Sequence, residues 1–73
     1  MSRIKWQHFV KPGREAEAWS GWREGIQVAQ VGREGPACYS IWINGGPKVS
    51  EEFRSLEVAK IYAERLVDMK ENA

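Results

Sequence analysis

Phe53-Arg-Ser-Leu-Glu-Val-Ala-Lys-Ile-Tyr-Ala-Glu-Arg-Leu-Val-Asp-Met-Lys-Glu-Asn72 is the one stretch of this chain with a strong helical period. At about 100° per residue, Leu56, Val58, Ala59, Tyr62, Ala63, Leu66, Val67 and Met69 fall in one broad arc. Glu57, Lys60, Glu64, Asp68 and Glu71 fall opposite. Ser55 is a good N-cap, because its hydroxyl can accept a backbone N–H from the first turn. Glu57 in the first turn and Lys70 in the last both suit the helix dipole. Ala59 and Ala63 near the middle of the arc let the axis approach a sheet closely. Lys60 and Glu64 are spaced to pair one turn apart. Ile61 stands among the charged residues, outside the arc. A competing reading starts the helix at Ser50.

Everything before this segment reads as strands and turns. Cys38-Tyr-Ser-Ile-Trp-Ile-Asn44 is a strand with Tyr39, Ile41 and Ile43 on one face and Ser40 and Trp42 on the other. Ile26-Gln-Val-Ala-Gln-Val31 is a second strand, and Gly32-Arg-Glu-Gly-Pro36 reads as the turn of an antiparallel hairpin. Asn44-Gly45-Gly46-Pro47 predicts a tight turn, since Asn-Gly readily supplies two positive φ values. Residues 48–53 suit a further edge strand, with Pro47, Glu51 and Glu52 guarding it. Residues 3–10 alternate loosely and predict a half-buried strand, stopped at Lys11-Pro12-Gly13. Residues 14–24 read as a loop running into a strand near Trp22. Gly-Arg-Glu recurs at residues 13–15 and 32–34, with Arg-Glu-Gly at 23–25. These triplets read as successive charged turns, because a solenoid repeat has a period of about 20 residues or more.

Size and composition restrict the function. The chain of 73 residues suits one small domain, residues 1–73, and four Trp, two Tyr and two Phe supply much of its core area. Eleven Lys and Arg against ten Asp and Glu remove the composition argument for a nucleic-acid-coating protein. Cys38 is the only cysteine, so a disulfide within the chain is excluded. The N-terminus has no signal-peptide pattern, and no apolar run approaches the ~20 residues of a membrane span. A cytoplasmic protein is expected.

The residues offer little catalytic chemistry. One His and one Cys cannot supply three or four nitrogen and sulfur ligands, so no metal residues are expected. The one nucleophile pair on offer is His8 with Cys38, but nothing brings them together and no oxyanion-hole motif is visible. No phosphate loop or dinucleotide motif is present. No catalytic residue and no cofactor is therefore expected.

Tryptophan is the unusual feature. Trp6, Trp19, Trp22 and Trp42 are too many for one small helix–sheet core. If Tyr39, Ile41 and Ile43 face the helix, Trp42 faces away from it. Three readings remain open at this point. Residues 3–22 fold over that face and bury Trp42, or the face is a protein contact, or its aromatics stack nucleobases.

Phe53-x-Ser55-Leu56-Glu57-x-Ala59-Lys60-x-x-Ala63-Glu64 resembles a loose class of small phage- and prophage-encoded proteins. Over residues 22–68 these carry a short antiparallel meander followed by a helix. Most proteins of this class have no known activity. Small phage proteins of this size include inhibitors of host defence, such as anti-CRISPR proteins, and small DNA-associated accessory factors. A non-enzymatic, phage-derived protein that acts on a host protein is the expectation. The resemblance transfers no catalytic residue.

The expected fold is α+β, an antiparallel meander of three or four strands with one C-terminal helix packed on one face. The expected function is protein binding, with Trp42, Trp22, Arg23, Arg33 and Ile61 as contact residues. The alternative is a small DNA- or RNA-binding module, which resembles the three-strand-plus-helix domains of integrases and would use Lys5, Arg23, Arg33 and Lys48. A third reading is a homodimer whose open faces or edge strands pair.

Overall fold

The computed structural model describes residues 4–10, 17–44 and 46–71. Its elements are β1 (Lys5–Val10), β2 (Glu17–Arg23), β3 (Ile26–Gly35), β4 (Cys38–Ile43) and α1 (Leu56–Glu71). The strands form one antiparallel sheet in the order β1-β2-β3-β4, and α1 lies on one face over β3 and β4. The α+β architecture is the expected one. None of the described helices is long and apolar enough to cross a membrane. The expected stop at Lys11-Pro12-Gly13 and the first Gly-Arg-Glu triplet lie outside the described residues, as does Gly45 of the predicted tight turn.

The helix begins where its cap predicts. Ser55 Oγ accepts the Val58 N–H at 3.5 Å, and the Ala59 N–H donates to the Ser55 carbonyl at 3.0 Å. Ala59, Ala63 and Val67 are buried against Ala29, Val31 and Ile41, one residue per helical turn over the sheet. The inward arc is narrower than the sequence predicts. Val58 and Met69 are exposed, because the two alanines seat the helix so low that the sheet reaches only the middle of the arc. Lys60 brings its Nζ to 5.9 Å from the Trp6 ring, turned toward the sheet rather than toward Glu64.

Residues 17–23 form a full strand, not the loop the composition suggests. Central position supplies what propensity lacks, since β2 pairs with β1 on one side and β3 on the other. Arg23 pairs with Ile26 across a two-residue turn. Glu24 and Gly25 have φ of 54° and 78°, the two positive values that a type I′ turn requires.

The extra tryptophans explain how a single helix covers four strands. α1 lies over β3 and β4, and Trp19 of β2 fills the space beside it, 8% exposed and 5.9 Å from the Tyr39 ring. Trp6 of β1 and Ile4 extend this layer. Gly21 makes room for them, because a Cβ there would stand 2.9 Å from Ile4 Cγ2 and 3.1 Å from the Trp6 ring.

Residues 46–53 run back along β4 without forming a continuous strand. Val49 N–H bonds the Ile41 carbonyl at 2.8 Å, and Phe53 and Tyr39 exchange two backbone bonds. The bridges Trp42–Lys48 and Tyr39–Phe53 span three steps on β4 (39 to 42) but five on this segment (48 to 53). The two extra residues carry Ser50-Glu51-Glu52 away from the ladder, which corrects the expected edge strand. The Phe53 ring packs at a tilt against Tyr62 of α1, 4.9 Å between centroids, so the segment joins helix to sheet.

Candidate functional site

The register fixes what the second face of the sheet presents. Gln7, Ser20, Gln30 and Trp42 form one cross-strand row, and Phe9, Ala18, Gly32 and Ser40 form the next. Lys5, Trp22 and Gln27 form a third. No described helix or strand packs over these rows. The row of Phe9, Ala18, Gly32 and Ser40 is mostly small, so its larger neighbour Trp42 settles over it. A Cβ on Gly32 would stand 3.0 Å from the Trp42 ring, which places the indole directly across that glycine. Trp42 is half-buried in consequence.

A bulge gathers the polar groups. The register shifts between Gly21 and Trp22, so that Gly21 pairs with Ala29 and Trp22 with Gln27. The residue left over lets both Val28 and Ala29 pack against the helix-side core. It also brings Gln27 and Gln30, which are of opposite parity, to the same face. Gln27 Nε2 lies 3.4 Å from Ser20 Oγ and 3.5 Å from Gln30 Oε1, long contacts that leave most amide bonding capacity free. With Trp42 and Asn44 they line an open cleft of about 470 Å³, whose remaining walls are Ala29, Ile43 and Gly46. None of these seven side chains titrates, so the cleft offers an indole surface and amide donors and acceptors rather than an acid or a base.

At the other end of this face the charges are paired. Lys48 Nζ lies 3.0 and 3.2 Å from the two carboxylate oxygens of Glu34 and 5.9 Å from the Trp42 ring centre. The lysine holds the Glu34 carboxyl below its ordinary value, and the nearby Ser40 hydroxyl contributes in the same direction.

The residues singled out from the sequence divide among three places. Trp42, Trp22, Lys5 and Lys48 belong to the open face or its border. Arg23 and Arg33 do not. Arg23 reaches the helix side and bonds Asp68 at 3.0 Å, and Arg33 lies 3.7 Å from Glu17. Ile61 is 53% exposed on α1, as its position predicts, and Val58 and Met69 join it on one flank of the helix. The described residues among 3–22, which are 4–10 and 17–22, do not fold over Trp42. Their described part extends the sheet sideways, and the buried indole is that of Trp19.

His8 and Cys38 are kept apart. His8 shares the helix-side row with Trp19, 5.2 Å between rings, on the strand at one edge of the sheet. Cys38 lies on the opposite edge strand, beside Glu34 and Glu52. Sequence reasoning missed the amide set of Gln27, Gln30 and Asn44, because strict alternation separates the two glutamines. Glu34, Cys38 and Glu52 also come together, a proximity that strand alternation does not reveal.

Comparison with known proteins finds no match to a family model, to a curated protein or to a solved structure.

Proposed function

We propose that the protein is a small non-enzymatic binding module that engages a protein partner through the sheet face opposite α1. The observation that carries this reading is the cleft of Trp42, Gln27, Gln30 and Asn44 on a face that no described element covers. An indole beside several amides suits a protein surface. The ring supplies apolar area, and each amide can both give and accept a bond to a partner's peptide groups. The resemblance of residues 22–68 to small phage-encoded proteins makes a host protein the partner class to test first.

A nucleic-acid partner is the weaker reading. Backbone recognition needs cations gathered on one surface. Of the four proposed for it, Arg23, Arg33 and Lys48 are already engaged by Asp68, Glu17 and Glu34, and the two arginines belong to the helix side.

The test is capture of a partner from bacterial lysate, followed by binding of that purified partner to the wild type and variants. Trp42→Ala is expected to weaken binding by about 30-fold or more, the scale of an aromatic hot spot. Ile61→Ala on the far side is expected to leave it unchanged. Equal binding by wild type and Trp42→Ala, or a salt-dependent mobility shift with DNA in place of a protein partner, would overturn the reading.

A further inference from the structure

The sheet has two edges, and described residues close only one of them. Along β4, residues 46–53 return with the Val49 N–H bonded to the Ile41 carbonyl and with two backbone bonds between Phe53 and Tyr39. Along the outer side of β1 no described residue pairs. Alternate residues of an edge strand direct their N–H and C=O outward, so β1 presents a row of backbone groups with no described partner. Such edges are commonly guarded by a proline, a bulge or several charges. β1 pairs with β2 in unbroken register, contains no proline or glycine, and carries Lys5 as its one permanent charge.

The sequence of this strand is complementary to itself. Opposed residues of neighbouring antiparallel strands point to the same face, so a second copy can add only in a register centred on one residue. Among residues 4–10, centring on Gln7 pairs all seven positions. It sets Ile4 against Val10, Lys5 against Phe9 and Trp6 against His8 of the second copy, with Gln7 against itself. Each pair matches: two aliphatic chains, a cation with an aromatic face, two flat rings, and two amides. Centring on His8 or on Trp6 pairs only five of the seven and opposes two imidazoles or two indoles.

We propose that β1 is a self-pairing edge, on which a second copy of this chain docks β1 to β1 in the Gln7-centred register to form one eight-stranded sheet. Both helices then lie on the same face. Because α1 sits over β3 and β4, the two helices stand six strand spacings apart, about 29 Å, and do not collide. Between them the row of Val31, Trp19 and His8 in one copy continues into Trp6, Gly21 and Ala29 of the other. His8 already packs on Trp19, 5.2 Å between rings, so Trp6 of the second copy completes a run of three. Val10, 54% exposed in the single chain, gains Ile4 as a neighbour. On the opposite face the row of Trp42, Gln30, Ser20 and Gln7 runs on into its own copy, so the two clefts share one surface. One strand per copy makes an interface at the low end of the specific range, so the dimer is reversible and depends on concentration.

The test is sedimentation equilibrium of the full chain, without any partner, from about 1 μM to about 1 mM. A monomer–dimer equilibrium is expected, and amide hydrogen exchange over the same range should slow in β1. The pair of Lys5 with Phe9 tests the register. Two such pairs form per dimer, whereas within one chain the two residues stand four strand steps apart, about 13 Å, beyond the screening length at physiological salt. Phe9→Glu should therefore dimerise about 5-fold or more tighter than Phe9→Lys. The double variant Lys5→Glu/Phe9→Lys should recover the affinity of Phe9→Glu. A monomer mass at about 1 mM, exchange protection that grows on α1 instead of β1, or equal affinities for Phe9→Glu and Phe9→Lys would each overturn the proposal. Phe9 is half-buried, so if its variants fail to fold, the exchange measurement on the wild type decides.

Discussion

Gly21→Ala is the smallest change that tests how β1 is held. The added methyl would stand 2.9 Å from Ile4 Cγ2 and 3.1 Å from two atoms of the Trp6 ring. Contacts below 3.0 Å are not tolerated, so Ile4 or the edge strand must move. Overpacking of this kind costs about 1–3 kcal/mol. Against it stands the lower entropy of the unfolded chain, which favours alanine over glycine by about 0.4–1 kcal/mol. The net expectation is destabilisation by about 1–2 kcal/mol, or a fall in Tm of about 4–16 °C for a domain of this size. Gly35→Ala is the control. Its nearest neighbour would be Cys38 Cβ at 4.0 Å, and its backbone does not need glycine, so only the entropy term remains. Gly35→Ala should raise Tm while Gly21→Ala lowers it. Thermal unfolding followed by circular dichroism measures both. If Gly21→Ala stabilises the protein as much as Gly35→Ala does, the layer of Ile4 and Trp6 over β2 is wrong.

Three further outcomes follow from local geometry. Glu24→Asn relieves a positive φ at a residue type ill suited to it and should raise stability by up to about 1 kcal/mol, readable from urea midpoints. Ser55→Ala removes the helix cap and should cost about 0.5–1 kcal/mol in the same assay, with native-state hydrogen exchange quickening first in the opening turn of α1. Tyr62 should ionise above the ordinary tyrosine range, because the negative charge of Glu51 opposes a second negative charge beside it. The folded form favours the protonated phenol, so this contribution is complete below the ordinary tyrosine value and is lost as pH rises through the raised one. In a Tyr39→Phe background, adding Glu51→Gln should bring the absorbance midpoint of Tyr62 down; no movement would contradict the pairing.

The parts legible in the sequence are those where local pattern and tertiary environment agree. The helix, its Ser55 cap and the strands around Val31 and Ile41 all have the period their packing requires. Phe53 was legible for a related reason, as an aromatic just before a capped helix. β2 was not legible, because Ala18, Ser20 and Gly21 favour strands weakly. They are extended because both flanking strands pair with them, which no local window reveals. The turn at Glu24-Gly25 was missed for want of the Asn-Gly or Asp-Gly that marks type I′ turns. The candidate site depends on an irregularity. The bulge opposite Gly21–Trp22 places Gln27 and Gln30 side by side, which strict alternation forbids. Trp42 was correctly placed on the face away from the helix, and what was missed was Gly32 beneath it.

The central claim is that the face opposite α1 is the working surface. Affinity of a purified partner for the wild type, Trp42→Ala, and the helix-side double variant Ile61→Ala/Met69→Ala tests it most directly. The account predicts a loss of about 30-fold or more for Trp42→Ala and no change for the double variant. The reverse order, with binding lost on the helix and kept without the indole, would contradict it.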